Sequence, residues 1–135
     1  MDATTNENPL GLISRKGAAQ TVGLTIGAFT RLVEEGAAPQ PVARLGSAEV
    51  WLIDDIEKFR HGTVAERAAF ELQAQVLTGV EVARRLGVKV ATIATYVHQE
   101  HWQCAPRPSG HVGRYRYWLT TEVQSWIAER RTRSA

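Results

Sequence analysis

The chain has little of what cofactor and metal sites are made from. One cysteine, Cys104, excludes an internal disulfide and any cysteine-rich zinc site. His98, His101 and His111 show no partners at metal-ligand spacing and read as loop or surface residues. No nucleophile and base pair, carboxylate dyad or glycine-rich phosphate loop stands out, so an enzyme is the least expected class and no cofactor or metal is expected. No apolar run is long enough to span a bilayer, and residues 1–9 lack the basic start and apolar middle of a signal peptide. The reading is a cytoplasmic, nucleoid-associated protein with no membrane partner.

What the chain does contain is a repeat. Ser14 to Val33 aligns without a gap on Thr78 to Val97 at a spacing of 64 residues, with Ala19 on Ala83, Gly23 on Gly87, Phe29 on Ile93 and Val33 on Val97. Trp51-Leu52-Ile53-Asp54-Asp55-Ile56 falls on Trp118-Leu119-Thr120-Thr121-Glu122-Val123 at a spacing of 67. Each copy reads as a helix, a Gly turn, a second helix, a basic loop, a Trp strand and a closing helix. The loop is three residues longer the second time. At roughly sixty residues, each copy is near the lower limit for an independent core.

The expected organisation is a disordered arm over 1–10, a first copy over 11–62, a linker helix over 63–75, a second copy over 76–129 and a basic tail over 130–135. Ser14, Thr25 and Thr78 suit helix N-caps, and Gly23 and Gly87 suit the turns. Asp54 with Glu57, Thr63 with Glu66, and Thr121 with Gln124 have the spacing of a cap and its return partner. The two hairpin loops are expected over Arg44 to Ala48 and, longer, over Pro106 to Gly113. Trp51 and Trp118 precede the closing helices at equivalent places, which fits ring burial at a core junction better than single-strand stacking. The fold class is mainly α with small β wings (α+β), in the order of a tandem winged helix-turn-helix.

These residues resemble a family. Pro39-x-Pro41-Val42-Ala43-Arg44-Leu45-Gly46, then Val50-Trp51-Leu52 and Asp55-Ile56-Glu57, resembles the small excisionase-type, AlpA-like helix-turn-helix proteins, relatives of the MerR winged-helix group. Val82-Ala83-x-x-Leu86-Gly87-Val88 with Thr92-Ile93 is similar to the same family's helix-turn-helix core. The resemblance implies double-stranded DNA as partner, with the second helix in the major groove and the wing on the backbone or minor groove. It places Thr25, Ile26, Gly27, Thr30 and Arg31 of the first copy at the groove. In the second copy it places Lys89, Val90, Ala91, Thr92, Ala94 and Thr95 there. Members of the family often carry Arg where Ile26 and Val90 stand. Single-domain members are the common form, so the tandem arrangement departs from it.

Chemistry ranks these candidates. Arg31 and Lys89 can hydrogen-bond guanine edges, while Val90, Ala91 and the threonine methyls match thymine methyls. Lys89 fills the cap position that Thr25 holds in the first copy, where its charge opposes the helix dipole. Arg107, His111, Arg114 and Arg116 make the second wing basic, whereas the first offers Arg44 and Ser47. Arg15 and Lys16, and Arg84 and Arg85, lie on the first helices, placed for phosphate contact or for a solvated face. Net charge is −2 over residues 1–62 and +4 over 63–135. Phosphate attraction grows with the number of cations, so the second copy is expected to supply more of the affinity.

The expected function is sequence-specific binding of duplex DNA as a transcription regulator or architectural factor. The alternative is an excisionase, a recombination directionality factor of a phage or mobile element. A third reading has one copy on DNA and the other on a protein. Integrase or RNA polymerase at the bound site would be the protein partners, and self-association is open.

Overall fold

The computed structural model describes residues 8–134, so most of the expected arm over 1–10 lies outside the described residues. Among the described residues, six α-helices and two three-stranded antiparallel sheets make a mixed α+β architecture. Among the described residues no helix is long and apolar enough to cross a membrane. The chain divides into two units, one over Leu10–Gln73 and one from Ala74 onward that also takes in Asn8 and Pro9. Asn8 belongs there through its side-chain oxygen, which accepts from the Tyr117 hydroxyl at 2.8 Å.

The first unit runs β1 (Leu12–Ser14), α1 (Arg15–Val22), α2 (Ile26–Glu34), β2 (Ala43–Leu45), β3 (Ala48–Leu52) and α3 (Ile53–Arg60). The second runs β4 (Val76–Leu77), α4 (Gly79–Leu86), α5 (Val90–His98), β5 (Gly110–Val112), β6 (Tyr115–Leu119) and α6 (Thr120–Ser134). The sheets share one topology, β1-β3-β2 and β4-β6-β5. Their registers also correspond: Leu12 opposes Leu52 as Val76 opposes Leu119, and Arg44 opposes Glu49 as His111 opposes Arg116.

Local chemistry explains the helix ends. Ser14 and Thr25 accept the backbone N–H of Gly17 and Ala28, each at 3.1 Å, so both act as the N-caps their spacing predicts. Thr78 N–H donates to Glu81 Oε1 at 3.0 Å, closing the start of α4. Gly23 and Gly87 end α1 and α4 at φ +76° and +72°, a left-handed conformation in which a side chain would be strained.

Each unit has its own core. Ala18, Ala19, Phe29, Trp51 and Ile56 pack in the first, and Val82, Ala83, Ile93, Trp118 and Val123 in the second. Both Trp rings are buried, and both indoles are satisfied. Trp51 Nε1 donates to the Pro39 carbonyl at 2.7 Å and Trp118 Nε1 to the Pro106 carbonyl at 2.9 Å. A buried ring with a partnered N–H closes the junction of sheet and closing helix.

The structure departs from the sequence reading in several places. The expected linker helix over 63–75 does not form: the segment lacks regular structure until a turn near Phe70 and a 3₁₀ turn at Gln73–Gln75. Arg67 instead forks onto Asp55, with Nε to Oδ2 at 3.0 Å and Nη2 to Oδ1 at 2.9 Å, and a third bond to Glu71 at 3.1 Å. Hydrogen bonding to Asp55 holds the Arg67 guanidinium above its ordinary pKa. Asp55 is 0 % exposed, and a buried carboxylate without its partner costs several kcal/mol, against about 1 kcal/mol for a helix cap. The segment is then a strap. Leu72 N–H bonds the Val42 carbonyl at 2.9 Å, and the Gln73 amide pairs with the Arg44 backbone at 2.6 and 3.0 Å along the free edge of β2.

Of the two forms the sequence allows for each wing sheet, two-stranded or three-stranded, both units take the three-stranded one, with β1 and β4 beside the hairpins. Other corrections are smaller. The second hairpin is no longer than the first: the two-residue turns match, and the three extra residues lie between α5 and β5. There the Trp102 carbonyl accepts from Trp126 Nε1 at 3.4 Å and Arg130 Nη2 at 3.1 Å, tying the inserted residues to α6. Asp54 and Thr121 are not caps, because α3 and α6 begin one residue earlier at Ile53 and Thr120. The expected basic tail over 130–135 is instead helical as far as Ser134.

Candidate nucleic-acid interface

In the first unit the start of α1, the start of α2 and the β2–β3 hairpin converge on a crevice of about 440 Å³. Its lining is Ser14, Arg15, Lys16, Ile26, Arg44, Ser47, Ala48 and Glu49, so five of the residues singled out from the sequence meet there. Glu49 was not among them, and it dominates the electrostatics. Its carboxylate pairs with Arg15 through one oxygen and with Arg44 Nη2 at 3.3 Å through the other. Arg15 also donates from Nη1 to Thr30 Oγ1 at 2.8 Å and lies 5.4 Å from the Trp51 ring centroid. Arg44 lies 5.2 Å from the ring of Phe70 on the strap.

Half-exposed ion pairs like these add little stability. Their consequence is for binding, since the positive charge of Arg15 and Arg44 already has a carboxylate between it. A neighbouring cleft of about 490 Å³ shares Arg15, Arg44 and Glu49 and adds Glu34, which leaves it charge-balanced. Of the remaining first-copy candidates, Lys16 and Arg31 are exposed, Ser47 sits in the hairpin turn, and Gly27 has open space around it. Thr25 is occupied as a cap and Thr30 by Arg15.

The second unit has the same frame with different occupants. Counting by the two repeat spacings, Arg15 becomes Gly79, Lys16 becomes Val80, Ile26 becomes Val90, Arg44 becomes His111, Ser47 becomes Arg114 and Glu49 becomes Arg116. The bridge from first helix to hairpin is therefore lost at both ends. Among the described residues, no acidic side chain pairs with Arg84, Arg85, Lys89, Arg114 or Arg116. All five are exposed. The Arg114 guanidinium lies 5.7 Å from the Tyr115 ring, and His111 Nδ1 lies 3.2 Å from the Gly113 carbonyl.

On α5, Lys89 is the N-cap residue and makes no side-chain cap bond, as its chemistry predicts. Val90, Ala91, Ala94 and Thr95 are exposed, and Thr92 is half-buried. Thr95 Oγ1 donates back to the Ala91 carbonyl at 3.0 Å. Arg107 stands apart from the hairpin, on the loop before β5, with its guanidinium 5.6 Å from the Trp102 ring. Sequence reasoning missed Glu49. Its signal was present as the register partner of Arg44 in a strand pair, set against Arg116 at the same place in the second copy. Comparison with known protein families, known proteins and solved structures finds no match to this chain.

Proposed function

We propose that the chain is a tandem winged helix-turn-helix protein that binds duplex DNA sequence-specifically, as a transcription regulator or architectural factor. The second copy makes the principal contact. The observation that carries the reading is the exchange of Glu49 for Arg116 within one frame. One copy neutralises Arg15 and Arg44 internally and the other leaves Arg114 and Arg116 for phosphate. In this reading α5 enters the major groove, Arg114 and Arg116 meet backbone or minor groove, and Arg84 and Arg85 meet flanking phosphates. An excisionase bending DNA beside an integrase site would use the same contacts.

A second reading for the first copy is favoured by the same carboxylate. A helix-turn-helix whose cations are already paired is suited to hold a protein, such as an integrase or RNA polymerase, at the bound site. Selection of bound sequences from random duplex DNA, followed by footprinting of the winner, tests both. Two spaced motifs under one chain mean that both copies read DNA. One motif, lost with Arg114→Ala and Arg116→Ala and indifferent to Arg31→Ala, means that the second copy reads alone. Absence of any selected sequence would overturn sequence-specific binding.

A further inference from the structure

The second copy exposes a small apolar patch inside its basic rim. Val80 on α4, Val88 in the turn and Val90 on α5 are 52 %, 37 % and 49 % exposed. A Cβ placed on Gly79 would lie 4.0 Å from Val90 Cγ2 and 3.9 Å from Trp118 Cζ3, so Val90 leans over the start of α4, where Val80 follows Gly79 in the chain. Ala91 and Ala94 continue the exposed face along α5. About half of the Val80 and Val90 side chains lies outside this unit's packing and is open to an occupant. Lys89, Arg114 and Arg116 are exposed in the same frame, which selects a polyanion over an apolar protein surface as the occupant.

The apolar feature of a DNA major groove is the methyl group on C5 of a pyrimidine, present on thymine and on 5-methylcytosine. We propose that the second copy reads pyrimidine C5-methyl groups in the major groove, with Val90 and Val80 as the reading side chains. The inference rests on the duplex-binding reading above and adds the chemistry of what is read. The first copy is less suited to this task. Ile26 stands exposed where Val90 does, but Lys16 replaces Val80 and Arg15 replaces Gly79.

The test uses the full chain and alternating duplexes that differ only by that methyl: dA–dT against dA–dU, and dG–5-methyl-dC against dG–dC. Minor-groove edges are the same within each pair, so a minor-groove reader sees no difference. Burial of one methyl corresponds to roughly a four-fold preference, and the expected result is at least that ratio in both pairs. Val80→Ser with Val90→Ser removes the methyl groups of both readers at exposed positions and should bring both ratios close to one. Equal affinity within each pair overturns the inference and leaves duplex binding standing. Failure to bind any of the four duplexes at low salt, where phosphate attraction alone suffices, overturns both. So does a dimer that dissociates on Val80→Ser with Val90→Ser and ignores DNA, which would assign the valines to a protein interface.

Discussion

At the register position where β2 and β3 set Arg44 against Glu49, β5 and β6 set His111 against Arg116. The surrounding frame is the same in both copies. Phe29 and Ile93, Trp51 and Trp118, and Ile56 and Val123 fill matching core sites. Each Trp donates to the carbonyl of the matching proline, Pro39 or Pro106. The difference teaches that core and face are separable. Burial and a satisfied indole fix the fold, while a few exposed positions set whether the face presents free or matched charge.

Matching core roles predict matching damage. Trp51→Ala and Trp118→Ala should each cost about 3–5 kcal/mol in urea denaturation, and a loss under about 1 kcal/mol in either would end the equivalence. Next in size is a difference between the copies. Arg67→Ala leaves the Asp55 charge buried alone and should cost about 3 kcal/mol, whereas Glu122→Ala at the equivalent place, exposed and bonded to Ser109, should cost less than about 1 kcal/mol. Equal losses would mean that the strap is not what holds α3.

Binding should separate the copies further. Arg114→Ala with Arg116→Ala is expected to weaken binding to a fixed duplex by on the order of ten-fold, measured by fluorescence anisotropy at constant salt. Glu49→Gln frees both Arg15 and Arg44, and should raise affinity by about three-fold with a steeper salt dependence. No change would show that the first copy faces away from DNA even when its cations are released. The smallest effect is at Lys89. Lys89→Thr restores the cap that Thr25 supplies and should stabilise by about 0.5–1 kcal/mol while weakening binding. A stability loss would show that Lys89 is the better cap.

Much of the frame was legible because the sequence repeats. Gly23 and Gly87, the two Trp residues and the caps Ser14, Thr25 and Thr78 place four helices and the inner strands. The rest depended on partners distant in sequence. Thr63 and Glu66 have the spacing of a helix start, but Arg67 is drawn to a carboxylate twelve residues earlier, buried on α3. β1 and β4 are three and two residues long, too short for an alternating pattern to register. Arg15 and Arg44 looked available for phosphate until strand register brought Glu49 between them. The length of α6 could have been read from the absence of Gly and Pro after Gly113.

The most direct measurement of the central claim is the salt dependence of affinity for one selected duplex, compared among the unaltered chain, the Arg114→Ala/Arg116→Ala variant and the Arg15→Ala/Arg44→Ala variant. Each lost phosphate contact lowers the slope of log affinity against log salt by about 0.9. A fall of about 1.8 is expected for the second-copy variant and none for the first-copy variant. Equal falls in both, or a fall confined to the first-copy variant, would contradict it.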